Sequence, residues 1–289
     1  MSQALVASMQ HAESLLKGRD PDGALEVLSP ALAARPVLPR AHMIAAMARL
    51  RQGRASEAVG HLDLAAGVLD RAAAAPAAFL ALARHYSGAG AFDQAGEMLR
   101  KGRARFPDNA ELAVAEGDHC ERLGRRSEAI AAYRAAIALA PDSGEAWSSL
   151  AIVLHKNGDI AAAIDGYGQA LARGARTGSV YNNLIAALIA TGDPAAALAM
   201  AEDWLAAMPG SIEALSFKAL LLTETGQRSQ AERLIDFDRF MRVETIEVPQ
   251  GYQSLDQFNR ALEAEVLAHP RLKTPPENHP TWHHPALRI

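Results

Sequence analysis

Seven alanines fall at almost constant spacing along this 289-residue chain: Ala24, Ala58, Ala95, Ala129, Ala163, Ala197 and Ala231, with five gaps of 34 residues and one of 37. A glycine stands five residues ahead of each of the last six, at Gly53, Gly90, Gly124, Gly158, Gly192 and Gly226. Prolines at Pro36, Pro107, Pro141 and Pro209 keep the same frame. A period of about 34 residues is that of a helix–turn–helix module copied end to end. One such module cannot bury its apolar face alone, so copies stack and share a continuous core. The spacing therefore predicts an all-α solenoid whose product is surface for binding rather than a catalytic pocket.

Composition agrees. Apolar residues make up 49% of the chain, much of it alanine, while aromatics reach only 5%. Alanine is the best helix former and lets helices approach closely, which suits thin layers of paired helices better than one large globular core. Basic and acidic residues, 29 and 33, are interspersed for a net charge of −4. No basic run marks a nucleic-acid track. The single cysteine, Cys120, excludes an internal disulfide framework and a cysteine-based zinc site. It falls on an expected helix and reads as a small buried hydrophobe. Neither a basic-then-apolar leader nor a run of roughly 20 apolar residues is visible, so the expectation is a cytoplasmic chain without a membrane span.

The unit from Glu145 to Arg176 shows the pattern most clearly. Trp147, Leu150, Ala151 and Leu154 share one helical face. Gly158 ends that helix, because glycine accepts the left-handed backbone of a helix C-terminus. Ala163, Ile164, Tyr167, Ala170 and Leu171 form the buried face of a second helix. Neighbouring units repeat the scheme with Phe79, Leu82, Gly90, Ala95, Leu99 and Pro107, with Gly124, Ala129, Tyr133 and Pro141, and with Tyr181, Leu184, Gly192, Leu198 and Pro209. Proline after the second helix is a stop signal. All of these residues read as packing, with Trp147, Tyr167, Tyr133 and Phe79 filling gaps between layers.

The pattern W-x2-L-A, then G, then A-I-x2-Y-x2-A-L, then P, resembles the tetratricopeptide repeat. The resemblance covers residues 3–236 as six units and a degenerate seventh, and implies a right-handed superhelix. The one 37-residue gap places three extra residues near Gly67–Ala75. In the first unit Arg19-Asp20-Pro21 replaces the glycine turn, as a terminal capping repeat allows.

In that architecture the first helices line a concave groove. The expected groove positions are Arg84, Asp118, Glu121, Arg122, Ile152, His155, Lys156, Asn182, Asn183 and Leu220. In tetratricopeptide proteins that bind extended peptides, an asparagine before the slot of Leu184 often clasps peptide backbone, so the resemblance points to Asn183. An amide can both donate and accept, which suits it to backbone. Ser149 and Ala81 hold the slot in other units, so no asparagine ladder runs along the array. Arg122, His155 and Lys156 offer a modest cationic patch for an acidic partner tail, partly cancelled by Asp118 and Glu121. The alternative is a solvated face of mixed charge. The two-carboxylate clamp of chaperone-binding members is not recognisable.

Beyond Asp236 the period dissolves. Met241 to Val248 alternates and is rich in β-branched residues, which predicts a strand. Pro249 to Tyr252 reads as a turn. Ser254 caps an expected helix from Leu255 to Ala268 that carries Leu255, Phe258, Leu262 and Val266 on one face. The expected boundaries are thus a 3–236 solenoid, a 237–270 strand–turn–helix appendage and a 271–289 proline-rich, extended tail. Leu234 to Phe240, Val248 to Tyr252, Phe258 to Leu262 and His269-Pro270 resemble the junction in bacterial proteins that join tetratricopeptide repeats to a 2-oxoglutarate/Fe(II)-dependent oxygenase. Such oxygenases hold iron through a His-x-Asp/Glu pair and a distant histidine. Neither that pair nor length for a further barrel follows before Ile289. His279, His283 and His284 invite a metal site, but intervening prolines forbid the helix that would converge their rings. No phosphate loop, nucleophile elbow or His-Glu-x-x-His is present. The expectation is a protein-interaction scaffold with no catalysis, cofactor, metal, nucleic-acid or membrane partner. The alternative is the substrate-recruiting arm of an oxygenase whose chemistry lies elsewhere. Partner identity and oligomeric state are not written in the residues.

Overall fold

A computed structural model of the chain describes residues 2–34, 37–69, 74–234, 248 and 250–268. The chain divides into two compact units, Met1–Leu234 and Ile235–Ile289.

The first unit is a row of helix pairs. In chain order they are α1 (Gln3–Lys17) with α2 (Pro21–Leu32), α3 (Pro39–Arg51) with α4 (Ala55–Leu69), and α5 (Pro76–Gly88) with α6 (Phe92–Arg105). Then follow α7 (Ala110–Arg122) with α8 (Arg126–Leu139), α9 (Gly144–Asn157) with α10 (Ile160–Ala172), and α11 (Gly178–Ala190) with α12 (Pro194–Ala207). The last pair is α13 (Ile212–Glu224) with the short α14 (Arg228–Leu234).

Local chemistry explains the punctuation. Side chains of Asn109, Ser143, Thr177 and Ser211 cap α7, α9, α11 and α13 by accepting the backbone N–H three residues on. Pro39 and Pro76 open α3 and α5, where a missing N–H costs nothing. Between the helices of each pair, the six periodic glycines take left-handed φ values of 73–92°. Arg19 holds the same place between α1 and α2 at φ 65°, the single positive-φ residue that is not glycine among those described. The first turn therefore has the same geometry with a different residue.

The recurring alanines are the contact points. Six of them are wholly buried and Ala231 is 7% exposed. Ala163 and Ala170 are both at 0% on α10, where it packs against α9. Phe79, Tyr133 and Tyr167 are buried as layer fillers, whereas Trp147 is half-buried. Its indole N–H donates to the Pro141 carbonyl at 3.0 Å and Arg173 lies over its ring at 5.1 Å. Cys120 is buried, and burial pushes its thiol pKa up. The extra residues of the long period fall after α4, where 70–73 lie outside the described residues; so does Pro36.

The second unit contributes one described helix, α15 (Leu255–Ala268). Ser254 accepts from the Gln257 N–H at 3.2 Å at its start. Residues 250 and 251 form a turn. The expected strand falls outside the described residues except at Val248, which is not in a strand. The tail from 269, with His279, His283 and His284, lies wholly outside them. Among the described residues there is no strand, and the fold is all-α.

Candidate functional site

The first helix of each pair touches the first helix of the next from α1 through to α11, more closely than second helices touch one another. First helices thus form the tighter layer. Two adjoining concavities open on this layer between α5 and α7. One, of about 340 Å³, is lined by Arg84 and Ser87 of α5 and by Asp118, His119 and Arg122 of α7. The other, of about 710 Å³, shares Arg84 and Asp118 and extends to Glu111 and Glu145.

The expected groove residues separate into those free to meet a partner and those already engaged. Arg84 and Arg122 are exposed, and no ion pair holds either among the described residues. Asp118 accepts the Tyr133 hydroxyl at 2.7 Å, so its carboxylate is anchored although exposed. Glu121 pairs with Lys156 at 2.5 Å, a bridge from α7 to α9 that partly offsets the Lys156 charge. His155 is half-buried, its ring edge-on to Tyr167 with centroids 6.2 Å apart and its Nδ1 3.5 Å from the tyrosine hydroxyl. Ile152 is half-buried against the core. Asn182 is exposed, Asn183 half-buried and Leu220 half exposed. Of the grouping Arg122, His155 and Lys156, Lys156 is ion-paired and His155 half-buried, while Arg122 shares a concavity with Arg84.

Electrostatics mark the same place. His119 is held below the ordinary imidazole pKa, first by burial and then by the Arg125 and Arg122 charges. His85 is lowered by burial and by Arg84. Tyr133 is raised strongly by burial and by its bond to Asp118, so its hydroxyl stays a proton donor. Tyr181 is pushed up to about 12 by burial and by donating to Asp203 at 2.6 Å. These tyrosines tie helices together; their geometry is that of struts, not of proton-transfer groups. The sequence marked their rings as filler but not the carboxylates that receive their hydroxyls.

A further cavity, of about 570 Å³, lies where α11, α12 and α13 meet, with Asn182 and Trp204 in its wall. Sequence reading missed it. The signal was present in the repeat frame: the slot seven residues after each recurring alanine holds Ala31, Ala65, Gly102, Ala136 and Ala170, but Trp204 in the sixth unit.

Among the described residues, no group of three or more His, Cys, Asp or Glu side chains could hold a metal ion. Among them too, no helix is long and apolar enough to cross a membrane.

The family model described as Tetratricopeptide repeat matches residues 9–78, 80–144, 115–179 and 149–212. The chain belongs to the tetratricopeptide repeat family. Among solved structures, this tetratricopeptide repeat protein resembles the C-terminal part of a TPR repeat-containing protein from Cytophaga hutchinsonii, at TM-score 0.60 and 16% identity over 79% of this chain and 93% of that one. A tetratricopeptide repeat protein from Parabacteroides merdae matches at TM-score 0.55 and 15% identity, over 92% and 100% of the two chains. Pseudomonas aeruginosa pilF matches at TM-score 0.53 and 16% identity, over 75% and 97%. Identities this low speak to fold alone. No curated protein matches the chain.

Proposed function

We infer that this chain is a protein-interaction scaffold that docks a partner peptide or domain on the layer of first helices, and that it works by binding rather than catalysis. The supporting observation is the pair of concavities between α5 and α7, where Arg84 and Arg122 stand exposed without a partnering carboxylate among the described residues. A preformed surface on stacked rigid units lowers the ordering cost of binding. In the smaller concavity the two unengaged guanidinium groups can pair with carboxylates of the segment in a bidentate fork, while Asp108, Glu111, Asp118 and Glu145 in the larger one favour cationic groups beside them. Asn182 and Asn183 sit farther along the same layer, where an amide can read peptide backbone.

The test is affinity capture with the intact chain, followed by titration of the captured partner. Reversing both charges, Arg84→Glu with Arg122→Glu, is expected to weaken that partner at least tenfold while the helical melt stays put. Undiminished binding by the double variant would remove the groove from the account. Loss of melting temperature in step with loss of binding would assign the arginines to the fold.

A second reading rests on the sequence between Leu234 and Leu272, which resembles the junction of repeat-linked oxygenases. In that case the repeats would recruit substrate for 2-oxoglutarate/Fe(II) chemistry supplied by another segment. Aerobic incubation with iron and 2-oxoglutarate, following succinate, separates the two. Turnover by the purified chain above an iron blank would overturn the non-enzymatic reading.

A further inference from the structure

Trp204 is out of keeping with its repeat. Every other complete unit puts alanine or glycine in this slot, and those residues are buried. Trp204 is also buried, at 3% exposure, but its ring is far larger than the space the slot normally fills. Its indole lies flat on Tyr181, with centroids 5.6 Å apart and planes 6° from parallel, and leans on Phe217 of α13 at 6.3 Å. A bulky plate thus occupies a small-residue slot, and beside it lies the 570 Å³ cavity. That is the size of a side-chain or small-ligand pocket.

The walls define what would fit. Trp204 and Met208 make the apolar inner wall, while Pro209, Ser179, Asn182 and Glu213 are exposed around it. Glu213 is the sole charged residue in the lining, and it already accepts the Ser211 hydroxyl at 3.1 Å. The Trp204 indole N–H is withdrawn from solvent and has no hydrogen-bond partner among the described residues. The Cε2–Cζ2 edge beside that nitrogen faces Gly178, where even a β-carbon would come within 3.3 Å of the ring.

The geometry points to this cavity as an anchor pocket for one large apolar side chain of a partner segment, flanked in that segment by a lysine or arginine that meets Glu213. The inference rests on the scaffold reading and deepens it: it adds an apolar anchor with a cationic neighbour at the α11–α13 end of a surface whose α5–α7 end carries free arginines. The Asn182 amide, exposed in the cavity lining, is placed to hold the backbone of the anchor residue.

The experiment follows the Trp204 indole N–H signal by NMR in the full chain, assigned with Trp204→Phe. The probes are three blocked tripeptides: acetyl-Lys-Phe-Lys-amide, acetyl-Glu-Phe-Glu-amide and acetyl-Lys-Ala-Lys-amide. A saturable shift with the first is expected, at least fivefold weaker binding of the second, and no saturation with the third. Ser179→Trp, at an exposed position that closes the mouth, should abolish the shift without moving the helical melt. Glu213→Gln should narrow the gap between the first two peptides. No saturable shift with the first peptide, equal response to the acidic one, or an undiminished response in Ser179→Trp would each overturn the pocket. Because these readouts are local to Trp204, they leave the charge-reversal test at Arg84 and Arg122 standing as the separate measure of the scaffold reading.

Discussion

Arg19 is the residue where chemistry and geometry disagree most openly. It takes the left-handed backbone that glycine supplies in the six later turns. For a residue with a β-carbon that conformation costs about 1–2 kcal/mol, partly offset by the smaller chain entropy arginine loses on folding. Arg19→Gly is therefore expected to stabilise the chain by roughly 0.5–1 kcal/mol, read as a higher urea midpoint; an unchanged or lower midpoint would show that the arginine side chain compensates. The histidines make a second prediction at this scale. His61 is held below its ordinary pKa by burial and by Arg49, against Glu57, and His85 and His119 are lowered mainly by burial as well. The unfolded chain thus takes up protons at a higher pH than the folded one. This contribution to stability is fully present above about pH 6.5 and is lost as pH falls through that value toward the depressed folded pKa values. Urea midpoints at pH 7.5 and 5.5 check it, and the lower pH should give the lower midpoint.

At the scale of the element, the repeat frame made the helices legible. Gly158 at the end of α9, the alanines on the second helices and the prolines two residues beyond α6, α8 and α12 could all be read in order. Each is a local rule obeyed many times, so chance matches average out. Close contacts between particular helices were not legible, because they join residues that share no local signal. Gly117 on α7 shows this: a β-carbon there would come within 2.5 Å of the Tyr133 ring on α8. Gly166 is similarly tight against Ala151, at 2.9 Å. Gly117→Ala should overpack the α7–α8 pair and destabilise it by about 1–3 kcal/mol, whereas alanine normally favours a helix. A gain in stability on urea titration would mean that the tyrosine can move aside.

Across the whole repeat unit the core is segmented. Its first buried cluster, from Met9 to Ala48, contains alanine, leucine, isoleucine and methionine but no Phe, Tyr or Trp. The C-terminal cluster, running from Cys120 to Ala231, includes Tyr133, Tyr167, Tyr181 and Trp204. In a linear array, stability is close to a sum of each repeat and its neighbouring interfaces, and aromatic rings bury the most area per residue. Amide hydrogen exchange should therefore show α1–α3 opening at lower free energy than α9–α12. Uniform protection along the unit would instead indicate a single cooperative body. The same division of scale explains how far the chain could be read. Period, helix pairing, buried alanines and family were set by the sequence, because they follow from hydrophobic spacing and turn chemistry repeated every 34 residues. Which polar side chains remain available was decided only by tertiary contacts. Glu121 takes Lys156, Tyr133 takes Asp118, Tyr167 meets His155, and Trp204 stands where other units keep a small residue. Spacing reveals which way a side chain faces along its own helix, but whether it finds a partner depends on groups brought to it from neighbouring helices by packing.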